Sequence, residues 1–183
     1  MLIVALACGA TMMATGQSLN ASKDGVTKCR ANLLAQELMS EIRACRWSDP
    51  SQPSHWGLES GESASTRAQF DDIDDYDGWT GLPQTRYGLT YGNLQRRLFP
   101  DVTSTEYDSF TCSVHVQSVS ATGTLLATGE TSRYRKVTVE VLYAGQPVEE
   151  LTQIFQDHSV LLGRQHWFQA NTLLAPATVQ VVP

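Results

Sequence analysis

Residues 18–47 read SLNASKDGVTKCRANLLAQELMSEIRACRW, and the spacing of their apolar positions decides the architecture. Ala31, Leu34, Ala35, Leu38, Ile42 and Cys45 recur with the three- and four-residue spacing of one face of an amphipathic helix. Good helix formers fill the gaps, and Glu37 and Glu41 fall on the side expected to be exposed. Arg43 and Arg46 sit where cations favour the negative end of the helix dipole. The helix is expected to stop near Trp47, because SDPSQP follows and proline cannot continue it.

Working back towards the start, MLIVALACGATMMA (residues 1–14) carries no charge, and the first charged residue is Lys23. This apolar portion is about 14 residues, against the ~20 that a helix needs to cross a bilayer. A secretory signal would begin with a basic region, and none precedes Leu2. Lipid attachment at Cys8 would want a branched apolar residue where Ala5 stands. No proline separates the apolar start from the amphipathic face; Gly9, Gly16 and Gly25 each cost a helix about 1 kcal/mol without forcing a break. One helix of about 45 residues is therefore expected, its first half suited to lipid or a bundle and its second half to a domain.

MLIVALA followed by a long helix ending in LLAQELMSEIRACRW resembles the type IV pilin-like superfamily, the pilins and pseudopilins of type IV pili and type II secretion. Met1, Leu2, Ile3 and Val4 match the residues that follow the Glu of the prepilin motif, whereas the leader, Gly, Phe and Glu of that motif are not in the sequence. The reading therefore expects Met1 to be an internal methionine with about five mature residues before it, which would also lengthen the apolar span. LLAQELMSEIRA further resembles the minor pseudopilins of the I type and pilus-modification proteins. The resemblance covers roughly residues 1–158. It implies an anchor helix over residues 1–22 and a packing helix over residues 20–46.

Beyond the helix, residues 48–69 are rich in Ser, Pro and Gly without apolar period and read as a long surface loop. TRYGLTYGNL offers a short alternation at Tyr87, Leu89 and Tyr91. FTCSVHVQSV alternates Phe110, Cys112, Val114 and Val116 on one side and reads as a strand. Val137, Val139, Val141 and Tyr143, a turn at residues 144–147, and a return through Leu151 and Phe155 read as a hairpin. The fold class is thus α+β: a long N-terminal helix, apolar then amphipathic, packed on a three- or four-stranded antiparallel sheet, as the pilin-like resemblance also implies. The expected organisation is residues 1–46 as the membrane and assembly helix, 47–165 as the globular β domain and 166–183 as a tail. In the tail, Trp167 and Phe168 are candidates to pack back and ATVQVV is a candidate edge strand.

Thirteen Lys plus Arg against 19 Asp plus Glu give a net charge of -6, which leaves no basic surface for nucleic acid. Asp71, Asp72, Asp74, Asp75 and Asp77 lie in one run, FDDIDDYDGW. Two readings of that run stand. Asp72, Asp74, Asp75 and Asp77 could supply carboxylate oxygens to Ca²⁺, or the run could be a solvated turn anchored by Phe70, Tyr76 and Trp79. It is not an EF-hand loop, because Ile73 and Gln84 would occupy positions one and twelve. The cysteines show no metal-type spacing, and on one helix Cys29 and Cys45 would be about 24 Å apart, too far to bridge. Cys45 with Cys112 is the one pairing open, against two buried free thiols. No GxSxG, HExxH or P-loop motif occurs, and His55, His115, His158 and His166 read as ordinary surface residues. Arg133, Arg135 and Lys136 read as a solvated strand edge.

No catalysis and no cofactor other than calcium are expected. The function implied is a membrane-anchored, single-pass subunit that joins other pilin or pseudopilin subunits through its N-terminal helix, with its domain outside the cytoplasmic membrane. The alternative is a membrane-anchored periplasmic binding module with a calcium-dependent ligand site.

Overall fold

The computed structural model describes residues 2–49, 55–101, 105–126 and 132–157. The expected tail at 166–183, with Trp167, Phe168 and ATVQVV, and His158 and His166 lie outside the described residues. One long helix, a short second one and a four-stranded antiparallel sheet make an α+β domain. Helix α1 runs over Leu2–Arg43, and its last three turns bury Ala31, Leu34, Ala35, Leu38, Met39 and Ile42. Residues 21–30 precede that stripe and are mostly exposed. Among the described residues no helix is long and apolar enough to cross a membrane.

The sheet order is β1 (Thr80–Gly81), β2 (Phe110–Val119), β3 (Tyr134–Tyr143) and β4 (Gln146–Gln156). Alternation puts Phe110, Cys112, Val114 and Val116 of β2 on the buried face, opposite Val141, Val139 and Val137 of β3 in register. Helix α1 covers this valine layer, lying across β3 and β4 and touching β2. Leu151 and Phe155 of β4 complete the layer from the edge, where Pro147 needs no ladder partner for its missing N–H. His115 points to the wet face, as expected.

Three expectations are corrected. The helix stops at Arg43 rather than near Trp47: Ala44 and Cys45 donate to the carbonyls of Glu41 and Ile42 in a tighter turn, and Arg46 then pairs with the acidic segment through Arg46 N–H to the Asp71 carbonyl at 3.0 Å. Tyr87, Leu89 and Tyr91 do not form a strand; Thr90 caps a second helix, α2 (Tyr91–Leu98), by accepting from the Asn93 N–H. Of the two cysteine readings the free thiols hold, with Cys112 buried and Cys45 half-buried. Arg135 is no solvated edge residue, since β3 lies inside the sheet and the side chain is buried with the valines.

The β3–β4 turn holds Ala144 at φ 50 and Gly145 at φ 77. Both lie in the left-handed region that the tight hairpin turn requires, and it is ordinary for Gly but costly for Ala. Ala144→Asn should therefore stabilise the chain by about 0.5–1 kcal/mol in urea denaturation. A destabilised variant would contradict this account of the turn.

Candidate functional site

The acidic run is built into the interior rather than solvated. Phe70, Tyr76 and Trp79 are buried as the expected anchors, but so are Asp72, Asp74 and Asp75. The reason is local hydrogen bonding. Asp72 Oδ1 accepts from the Asp74 N–H at 3.0 Å, and Asp75 Oδ2 reaches back to the N–H groups of Asp71 and Asp72 at 2.9 and 3.1 Å. These bonds close the 3-10 turn Asp74–Tyr76 and satisfy donors that no ladder would reach.

The four carboxylates proposed for calcium are directed to different partners. Asp74 Oδ1 meets Arg135 Nη1 at 2.5 Å and its Oδ2 accepts from the Gly57 N–H at 3.1 Å. Asp77 accepts from the Val116 N–H at 2.9 Å and from Trp56 Nε1 at 3.1 Å. Asp72 is occupied within the turn, so of the four only Asp75 joins a convergent carboxylate group among the described residues.

That group is Glu59, Glu62 and Asp75, each offering a carboxylate oxygen within 4.8 Å of the others. Glu59 and Glu62 are brought together by a turn in which the Glu62 N–H donates to the Glu59 carbonyl at 3.1 Å and Gly61 takes φ 106. The Glu59 N–H in turn donates to Glu62 Oε2 at 2.9 Å. Burial, with the Glu62 carboxylate beside it, pushes Glu59 up to about 7. Burial pushes Asp75 up to about 6 against its two backbone donors, and burial with Asp74 alongside takes Asp72 to about 8.

Two buried arginines hold the acidic segment in place. Arg135 also donates to the Trp47 carbonyl and stacks over the rings of Trp47 and Trp56, 4.5 and 5.0 Å from their centroids. Arg67 grips Glu41 of α1 with two bonds of 2.9 and 3.0 Å, lies 4.4 Å over Trp79, and donates to the Gln84 carbonyl. Glu41 is thus only 16% exposed and also accepts from the Tyr76 hydroxyl at 2.9 Å, a correction to its expected place on the wet face. Burial next to Glu41 moves the Tyr76 phenol far up, and burial raises both the Cys45 and the Cys112 thiol. The cavity between α1, Arg67, Trp79 and Tyr91 measures ≈ 20 Å³, room for about one water. His55 and His115 are exposed.

Sequence reasoning missed Glu59, Glu62, Arg67 and Arg135. Arg135 had a signal, since it precedes Val137, Val139 and Val141 in strict alternation. Glu59 and Glu62 had a weaker one, two acids three apart across a glycine. Arg67 had none that its loop could display.

Replacing Arg135 with Met removes the partner of a buried carboxylate and should cost about 3–5 kcal/mol in chemical denaturation; a loss below about 1 kcal/mol would show the pair to be dispensable. Asp72 binds its proton more tightly folded than unfolded, where it ionises near 3.8. Its contribution is therefore complete at low pH and is lost as pH rises towards about 8. Asp72→Asn, which keeps the accepting oxygen, should gain on the parent in metal-free melting experiments as pH rises from 5 to 8; a gap that shrinks over that range would reverse the sign.

Compared with known proteins, the chain matches no family model, no curated protein and no solved structure.

Proposed function

We propose that this chain is a non-enzymatic pilin-like subunit, anchored in the cytoplasmic membrane by its N-terminal helix and assembling through that helix into a type IV pilus or a type II secretion pseudopilus. The observation that carries this reading is the mismatch between helix and domain. Helix α1 runs over Leu2–Arg43, yet among the described residues its buried positions begin only at Ala31. The sheet covers the last three turns, whereas residues 21–30 are mostly exposed and meet the domain chiefly through the Arg30–Glu106 ion pair.

The sequence says what that length suits. Residues 1–14 are apolar and uncharged, so they favour lipid or a bundle of like helices. Between neighbouring subunits such segments would bury one another at about 25 cal/mol per Å² of apolar surface removed from water. The globular domain would then stand on the periplasmic side, presented by the rod. Partners on this reading are other copies or related subunits and the membrane. Nucleic acid is not among them, given a net charge of -6.

Leu2→Asp or Val4→Asp in the full chain should move it from the carbonate-resistant membrane fraction to the soluble fraction and abolish cross-linked multimers. Normal membrane retention and filament incorporation of both variants would overturn the proposal.

A further inference from the structure

We infer that Glu59, Glu62 and Asp75 bind a hard divalent cation of the Ca²⁺ class, which fastens the Glu59–Glu62 turn to the buried acidic segment. The inference is independent of the assembly role proposed above. Its first support is geometric: oxygens bound to one cation at about 2.4 Å can lie at most about 4.8 Å apart. The three carboxylates offer one oxygen each within 4.8 Å of one another.

The second support is unmet bonding. Asp75 is 2% exposed, and while its Oδ2 takes two backbone donors, its Oδ1 is shut off from solvent with no hydrogen-bond partner. Glu59 Oε1 is likewise enclosed and unpartnered. Two orphan carboxylate oxygens on two members of one group call for a ligand, because buried carboxylates are otherwise paired or hydrogen-bonded. None of the three takes part in an ion pair among the described residues, so no arginine or lysine offsets their charge.

Chemistry selects the ion. All three donors are carboxylate oxygens, with no imidazole or thiolate in the group, which suits Ca²⁺ rather than Zn²⁺ or Cu²⁺. Mg²⁺ demands near-ideal octahedral geometry at a shorter radius and gives up its waters reluctantly, so a half-enclosed site of this kind favours Ca²⁺. The site does not use the EF-hand pattern. Its frame is the turn around Gly61, where φ 106 would strain any other residue, and the reach of Asp75 from the 3-10 turn.

The competing arrangement is a proton shared among the same carboxyls, and the experiment separates the two. The full chain is stripped with chelator, dialysed in detergent at neutral pH, and titrated calorimetrically with CaCl₂ and, in parallel, MgCl₂. One Ca²⁺ per chain is expected, with a rise in Tm of about 5–10 °C at a hundredfold excess over Kd and a far smaller response to Mg²⁺. Glu62→Gln, a change at a half-exposed position, should weaken Ca²⁺ binding at least tenfold while leaving the metal-free melting temperature at or above that of the parent. Glu59→Gln should do the same. A parent that neither binds Ca²⁺ nor melts higher with it, or a Glu62→Gln variant that responds like the parent, overturns the assignment and leaves a proton-shared cluster.

Discussion

A charged side chain on the apolar face of the sheet organises the whole loop region. Arg135 occupies the position on β3 where the alternation of Val137, Val139 and Val141 would place another valine. A buried guanidinium cannot shed its proton, so it must be paired. Asp74 supplies the pair at 2.5 Å, and Trp47 and Trp56 enclose it with their rings. To deliver Asp74 there, the acidic run must turn inward, and the turn is held by Asp72 and Asp75 bonding to backbone N–H groups of the same run. The burial of three aspartates follows from the burial of one arginine.

The energetic meaning of such a pair is specificity more than stability. Desolvating both ions offsets most of their attraction, and a well-packed apolar replacement of both partners is often neutral or better. What the pair does impose is a unique docking of segments that lack regular structure. Arg67 repeats the arrangement on the helix side, with two bonds to Glu41 and a tryptophan under its guanidinium. A loop with few apolar residues has little hydrophobic surface with which to choose a position. Directional bonds from two arginines, each stacked on an indole, make the choice instead.

This division explains which features could be read in advance. The stripe Ala31, Leu34, Ala35, Leu38 and Ile42, strand β2 and the β3–β4 hairpin were legible because apolar periodicity reports directly on a face that must be covered. Phe70, Tyr76 and Trp79 were legible as anchors for the same reason. The aspartates were not, because hydropathy assigns them to water unless a partner is known, and Arg135 is 61 positions away from Asp74. Glu41 looked exposed by helical phase alone, yet Arg67 arrives from the loop to bury it. Local pattern carries the elements; the polar contacts between them are non-local, and nothing in a single segment announces its partner.

The valine layer and the helix also differ in what they need from each other. Val114, Val137, Val139 and Val141 are fully covered, and without residues 31–42 of α1 that face of the sheet would lie open to water. The end of the helix is therefore part of the domain. Residues 21–30 gain little from the sheet, and Gly25 within them weakens the helix by about 1 kcal/mol relative to Ala. A helix in water is marginal at such lengths unless an apolar face is packed. On the proposed assembly, neighbouring helices supply that packing, while the Glu41–Arg67 clamp ties the far end of the helix, two residues before it stops at Arg43, to the loop region.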